Sequence, residues 1–260
     1  MGDDAGSEHS RRKFVAIVYL MTLLVLLVAL GQWLAVSFVD ALCDVFREFE
    51  FISGIFFTLS VILVLIFIFL EKVRVMIAVN WILAILILEF AILGIFALAA
   101  RTSWPELVLW FLICVLLLFI AILVGSILPH DLTLDVVILF VISFIFLIVS
   151  VFLVMLHLMT LTAHSIILHQ LFVSIIILTF VMYHAQTING GRFAELRVND
   201  YLLAVIILFY DFIVIFLLTF YAQVHYPIVN LNPQTTTEAP GTTTPAGEPP
   251  ADARAAFRIF

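Results

Sequence analysis

Glu89, His184 and Asp211 each interrupt a long apolar run. A charge at the centre of a membrane-spanning helix costs about 3 kcal/mol on insertion scales, and more in simulation. Side chains kept at that cost serve an ion or proton path, or they hold helices together. His184 lies one turn from the end of the sixth apolar run and Asp211 near the middle of the seventh. A short polar hairpin joins those two runs, so the helices are expected to be antiparallel neighbours with the imidazole facing the carboxylate. Such a pair is a proton switch near neutral pH. The plainer role is an interhelical hydrogen bond, worth about 0.6 kcal/mol on average.

The elements that must position these residues follow from composition. Of the 260 residues, 65% are apolar and only 11% charged, and the mean hydropathy is +1.31. Soluble domains run at roughly 45–50% apolar and about 25% charged. This excludes a water-soluble enzyme, a nucleic-acid binder and a disordered scaffold, and predicts an all-α polytopic bundle of seven transmembrane helices. Hydropathy places the spans at about 14–38, 51–70, 75–99, 107–128, 132–156, 161–185 and 201–224. The first run is too long for the apolar core of a cleaved signal and is expected to remain as span one.

Residues 1–13 form a polar head that ends in Arg11, Arg12 and Lys13. A charged loop carrying Asp40, Asp44, Arg47, Glu48 and Glu50 separates spans one and two. Ser103-Trp104-Pro105-Glu106 fits a capping box at the start of span four. Gly190 and Gly191 read as the turn of the hairpin over 189–200. Residues 225–260 change character, with two Thr-Thr-Thr runs and six of the eight prolines. That composition cannot build a core and is expected to be a disordered tail able to carry O-linked sugar.

Orientation follows from basic residues on alternate sides. With the head in the cytosol, Arg11, Arg12, Lys13, Lys72, Arg74, Arg192 and Arg197 are inside, and only Arg47 and Arg101 sit in the short outside loops. An odd number of spans then carries the Thr/Pro tail to the opposite side. No sequence motif supports catalysis or a bound cofactor: His-Glu-x-x-His, Gly-x-Ser-x-Gly and the phosphate loop are all missing. Cys43 and Cys114 are isolated thiols that act as small apolar fillers. His157, His164 and His169, near the ends of spans five and six, do not make a metal face.

Three parts of the chain, its last two spans, the third span and the opening, together resemble the Lifeguard family, the transmembrane Bax-inhibitor-motif proteins. Residues 182–191 (MYHAQTINGG) are similar to its Tyr-Asp-Thr-Gln segment and the polar turn after it. Residues 199–217 (NDYLLAVIILFYDFIVIFL) resemble its Glu-Tyr…Leu-Tyr-Leu-Asp-Ile-Ile segment, with Asp200, Tyr201 and Asp211 in register. Leu88-Glu89-Phe90-Ala91 is close to the Leu-Glu-Ala of the third span, and Arg11-Arg12-Lys13-Phe14 with Tyr19 resembles the basic start of span one. The likeness covers about 11–224. Two positions depart from it: His184 stands where the family carries Asp, and Ala185 where it carries Thr.

The resemblance implies a Ca²⁺-permeable leak of the endoplasmic reticulum or Golgi that tunes stored calcium and sensitivity to apoptosis. It implies a pH-sensitive pair formed by position 184 with Asp211, and Glu89 and Asp211 as stations for the permeant Ca²⁺. The lipid bilayer and cell-death regulatory membrane proteins are the implied partners. The alternative reading is a non-conducting membrane scaffold of the same family that binds partners. A proton-coupled transporter would use the same acids but lacks the interrupted, paired spans of inverted repeats.

Seven spans with a cytosolic head carry a direct test. Protease added to intact microsomes is expected to remove an N-terminal tag and to spare a C-terminal one. The opposite pattern overturns the orientation, and loss of both tags overturns the odd span count.

Overall fold

The computed structural model describes residues 3–160 and 163–225. From residue 226 onward, the segment read as a disordered tail lies outside the described residues, as does the side chain of His164. Every regular element among the described residues is an α-helix: α1 (Asp3–Phe38), α2 (Asp40–Glu48), α3 (Glu50–Phe69), α4 (Glu71–Val75), α5 (Ile77–Gly94), α6 (Phe96–Arg101), α7 (Trp104–Ile127), α8 (Val136–Thr160), α9 (Ala163–Asn189) and α10 (Tyr201–His225). Seven stretches are long and apolar enough to cross a membrane: α1, α3, α5 with α6, α7, α8, α9 and α10. The chain is therefore an all-α polytopic bundle.

The last helix is its centre. Across its span 61% of the residues of α10 are buried, against 11% for α8. α10 packs on α1, α5, α7 and α9, whereas α8 lies chiefly against α9 and turns side chains such as Phe140, Phe144 and Phe152 outward. In hydrocarbon that exposure carries no penalty, since lipid tails are as apolar as the side chains. Trp33 of α1 is fully buried at the hub. Its indole stacks on Phe216 and Phe212 of α10, with ring centroids at 4.9 and 6.3 Å. Phe111 of α7 meets it edge-on at 6.1 Å.

The structure corrects three details of the sequence reading. The 40–50 segment is not a loop: α2 occupies most of it, with Asp40 in its first turn and Arg47 in its last, the placement its dipole favours. Ser103 takes the N-cap position of α7 with extended backbone, but its side chain makes no cap bond. Pro105 has no N–H, which removes one of the donors that such a cap would engage. The third span is not one continuous helix. It breaks at Ile95 between α5 and α6, and α4 precedes it as a separate turn.

A break inside hydrocarbon frees backbone groups that must find partners within the protein. Side chains supply them here. Trp33 Nε1 donates to Ile92 O at 3.1 Å. Ala97 N donates to Ser53 Oγ at 3.1 Å. At the far end of α6, Ser37 Oγ donates to Ala99 O at 3.1 Å, and Arg47 Nε to Ala100 O at 2.7 Å. Next to the break, Gly94 lets α5 approach α3 closely, since a Cβ there would lie 2.7 Å from Phe57 Cβ.

The charged residues separate to two ends. Arg11 pairs with Glu195 at 2.7 Å, Arg197 pairs with Glu71, and Arg74 faces Asp200 at 3.8 Å. Arg101 and Glu50 pair at the other end, beside Arg47.

Packing without side-chain slack gives a second test. A Cβ at Gly125 would sit 2.7 Å from both Cα and O of Met182, so α7 and α9 must separate to accept one. Gly125→Ala is expected to cost roughly 1–3 kcal/mol, seen as a lower melting midpoint in detergent. Gly31→Ala meets nothing within 4 Å and is expected to be neutral or stabilising by up to about 1 kcal/mol. Equal midpoints for the two variants would contradict this packing.

Candidate functional site

The hairpin after α9 decides which residues of α9 and α10 meet. Gly190 and Gly191 adopt φ of 76° and 70°, the left-handed region that ends helices at low cost only for glycine. Gly190 N donates to Gln186 O at 3.0 Å, and Leu196 N returns to Thr187 O at 2.9 Å. Gly190 is doubly constrained, because a Cβ would lie 2.6 Å from Arg11 Nε and 2.7 Å from Glu195 Oε2. Arg11 Nη1 also donates to Leu196 O at 2.7 Å. The N-terminal helix thus fastens the hairpin in place.

Gln186 fastens it from the other side. Fully buried, it accepts from Leu132 N at 2.8 Å and donates to His130 O at 2.8 Å and Gly125 O at 3.2 Å. Arg192 Nη2 donates to Leu128 O at 2.7 Å. Asp131, in the turn before α8, accepts from the Thr133 hydroxyl at 2.6 Å and from Phe193 N at 3.0 Å. The Thr133 hydrogen bond is the first cause holding the Asp131 carboxyl below the usual carboxylate range, and Phe193 N–H and the Arg192 charge act in the same sense. A carboxyl held down in this way stabilises the clasp above its unfolded pKa. That contribution is lost only as pH falls through the lower, folded value.

With the hairpin held, His184 Nδ1 and Asp211 Oδ2 lie 2.8 Å apart. Their side chains are 24% and 12% exposed. The imidazole rests among the rings of Tyr183 and Phe180, at 5.6 and 6.3 Å. An open cavity of about 250 Å³ reaches it from the hairpin side, lined by Tyr183, His184, Thr187, Glu195, Leu196 and Ile207 among others. His184 is in that wall and Asp211 is not. The pair is strongest as imidazolium facing carboxylate and weakens when the ring loses its proton.

Glu89 belongs to a different contact. Gln32 Nε2 of α1 donates to both of its carboxylate oxygens, at 2.9 and 3.1 Å. The bond turns Glu89 towards α1 and satisfies a charge that would otherwise be uncompensated in the span. Among the described residues no three His, Cys, Asp or Glu side chains gather into a metal site. Glu89 and Asp211 each have a separate partner and do not form a shared cation cage.

Two polar residues that the sequence reading passed over complete the interior. Ser60 Oγ donates to Ile87 O at 2.5 Å and shares a hydrogen bond with Tyr210 OH at 2.5 Å. This ties α3, α5 and α10 together one residue from Asp211. Gln32 was findable as a side-chain amide in an apolar run, whereas Ser60 shares its run with Ser53 and Thr58 and carried no distinguishing signal. Comparison with known protein families, curated proteins and solved structures returns no match.

The Gln32–Glu89 contact carries its own prediction. Glu89→Leu leaves the Gln32 amide without its acceptor and is expected to cost about 1–3 kcal/mol, read as the loss of melting midpoint in detergent. Adding Gln32→Leu is expected to restore most of that loss. Additive losses in the double variant would show that the two residues are not coupled.

Proposed function

We propose that the protein is a cation leak of an intracellular membrane, with Ca²⁺ as the permeant ion, closed by the His184–Asp211 pair. The observation that carries the reading is the 2.8 Å contact between these side chains, bridging α9 and α10 where an open cavity meets the imidazole. The resemblance to the Lifeguard family supports the ion, the endoplasmic reticulum or Golgi as the membrane, and a bearing on stored calcium and apoptosis. The excess of basic residues at the hairpin end supports a cytosolic N-terminus. In this reading Glu89 and Asp211 offer carboxylates to the passing ion. The rings of Trp33, Phe212 and Phe216 close the bundle core, so conduction requires α10 to shift.

The sign of gating follows from having one imidazole and one carboxylate. Two carboxylates share a proton in acid and repel once both ionise. A His–Asp pair instead attracts most strongly in acid, when the imidazole is charged, and loses that attraction as the proton leaves. Calcium flux into liposomes is therefore expected to be several-fold lower in acid than at neutral pH. His184→Ala is expected to flatten the profile, and His184→Asp, which creates two carboxylates that repel once both ionise, to move its midpoint. Superimposable profiles for the three proteins would eliminate the gate, and absence of flux from wild-type protein at every pH would eliminate the leak.

A further inference from the structure

A second cavity, of about 500 Å³, opens at the same end of the bundle between the α4–α5 junction and the start of α10. Arg74, Asn80 and Asp200 line it, and two of them are unsatisfied. Arg74 is largely buried, at 15% side-chain exposure, and its one ion-pair contact among the described residues is Asp200 at 3.8 Å. That is too long for a hydrogen bond. Arg74 Nε and Asn80 Oδ1 are buried with no hydrogen-bond partner. An unpaired buried polar atom is unfavourable, and here an orphan donor and an orphan acceptor belong to two side chains of one cavity wall, where a turn of the side chain brings either atom to a ligand.

The rest of the wall indicates what would satisfy them. Glu71 and Asp200 balance Arg74 and Arg197, so the charged lining is neutral as a whole. A purely anionic ligand would meet two carboxylates, whereas a zwitterion finds a partner for each of its charges. Arginine suits phosphate, which it binds through two parallel N–H donors. The Asn80 carbonyl requires an N–H or O–H, which a trimethylated amine does not have. The cavity also lies where lipid is expected. Trp81 and Tyr201, rings at 6.1 Å, line it, and such residues favour the headgroup level. Val75 and Ile77 beside them are 73% and 78% exposed.

We propose that this cavity binds the headgroup of an amine-bearing membrane phospholipid. The phosphate rests on Arg74, the ammonium lies between Asp200 and the Asn80 carbonyl, and the glycerol and chains leave past Ile77 and Trp81. The site is separate from the His184–Asp211 pair and does not rest on ion conduction.

Native mass spectrometry of the full chain, released from micelles holding equal amounts of phosphatidylethanolamine, phosphatidylcholine and phosphatidylglycerol, tests it. Phosphatidylethanolamine adducts are expected to exceed the other two by about tenfold. Arg74→Gln and Asn80→Ala are each expected to remove most of that excess. Arg12→Gln, at an exposed pair outside the cavity wall, is expected to change it less than about twofold. Asn80→Ala removes only an unbonded amide, so it reads the site even if Arg74→Gln fails to fold. Soluble glycerophosphoethanolamine is expected to compete only at about hundredfold higher concentration than the lipid. Equal retention of the three lipids, or an excess unchanged in Asn80→Ala, overturns the site. Competition by the soluble ester at the lipid's own concentration overturns its assignment to a lipid.

Discussion

A backbone carbonyl or carboxylate left unpaired in hydrocarbon costs several kcal/mol, and each irregularity of this bundle sits where a side chain removes that cost. The break at Ile95 coincides with Trp33, whose indole N–H takes the Ile92 carbonyl, and with Ser53, which accepts from Ala97 N. The carboxylate of Glu89 is met by the only amide of α1 that can reach it. The carboxylate of Asp211 is met by the imidazole of His184. These interior polar groups occur as matched pairs drawn from different helices, and each such pair fixes the rotation of two helices about their axes. Apolar packing between lipid-like surfaces would leave that rotation poorly determined.

The burial of α10 follows from this. It is the last span in sequence and the most enclosed in space, because it carries partners for three other elements: Tyr210 for Ser60 of α3, Asp211 for His184 of α9, and Phe212 with Phe216 for Trp33 of α1. Tyr210, Asp211 and Phe212 are consecutive and point to different sides of one helix. A shift of α10 therefore disturbs all three contacts together. The His184–Asp211 contact is thereby joined, through consecutive residues of one helix, to the Ser60 and Trp33 contacts.

The clasp at the hairpin end has a second consequence. Arg11, Gln186, Arg192 and Asp131 spend most of their donors and acceptors on the backbone of the 128–133 and 188–196 segments. Arg74 does not: its guanidinium lies buried beside a cavity with no hydrogen bond. Among the described residues Trp110 Nε1 and Gln170 Nε2 are also buried and unpaired, whereas the unpaired atoms of Arg74 and Asn80 belong to the wall of one cavity of about 500 Å³.

Hydropathy and charge counting alone determined the seven spans, the two charged ends and the neighbourhood of His184 and Asp211. Span existence depends on summed apolar content, and a short hairpin leaves antiparallel neighbours as the simplest arrangement. The left-handed turn at Gly190 and Gly191 was legible for the same reason, being a local property of residue type. What surrounds those features was not legible. When every face of a helix is apolar, periodicity carries no information on which face is buried, so neither the central place of α10 nor the peripheral place of α8 could be read. The side-chain partners of the break at Ile95 and the Gln32–Glu89 bond join residues far apart in the chain. Only the tertiary structure decides them, because each exists where two helices approach closely enough for one side chain to satisfy a polar group on the other.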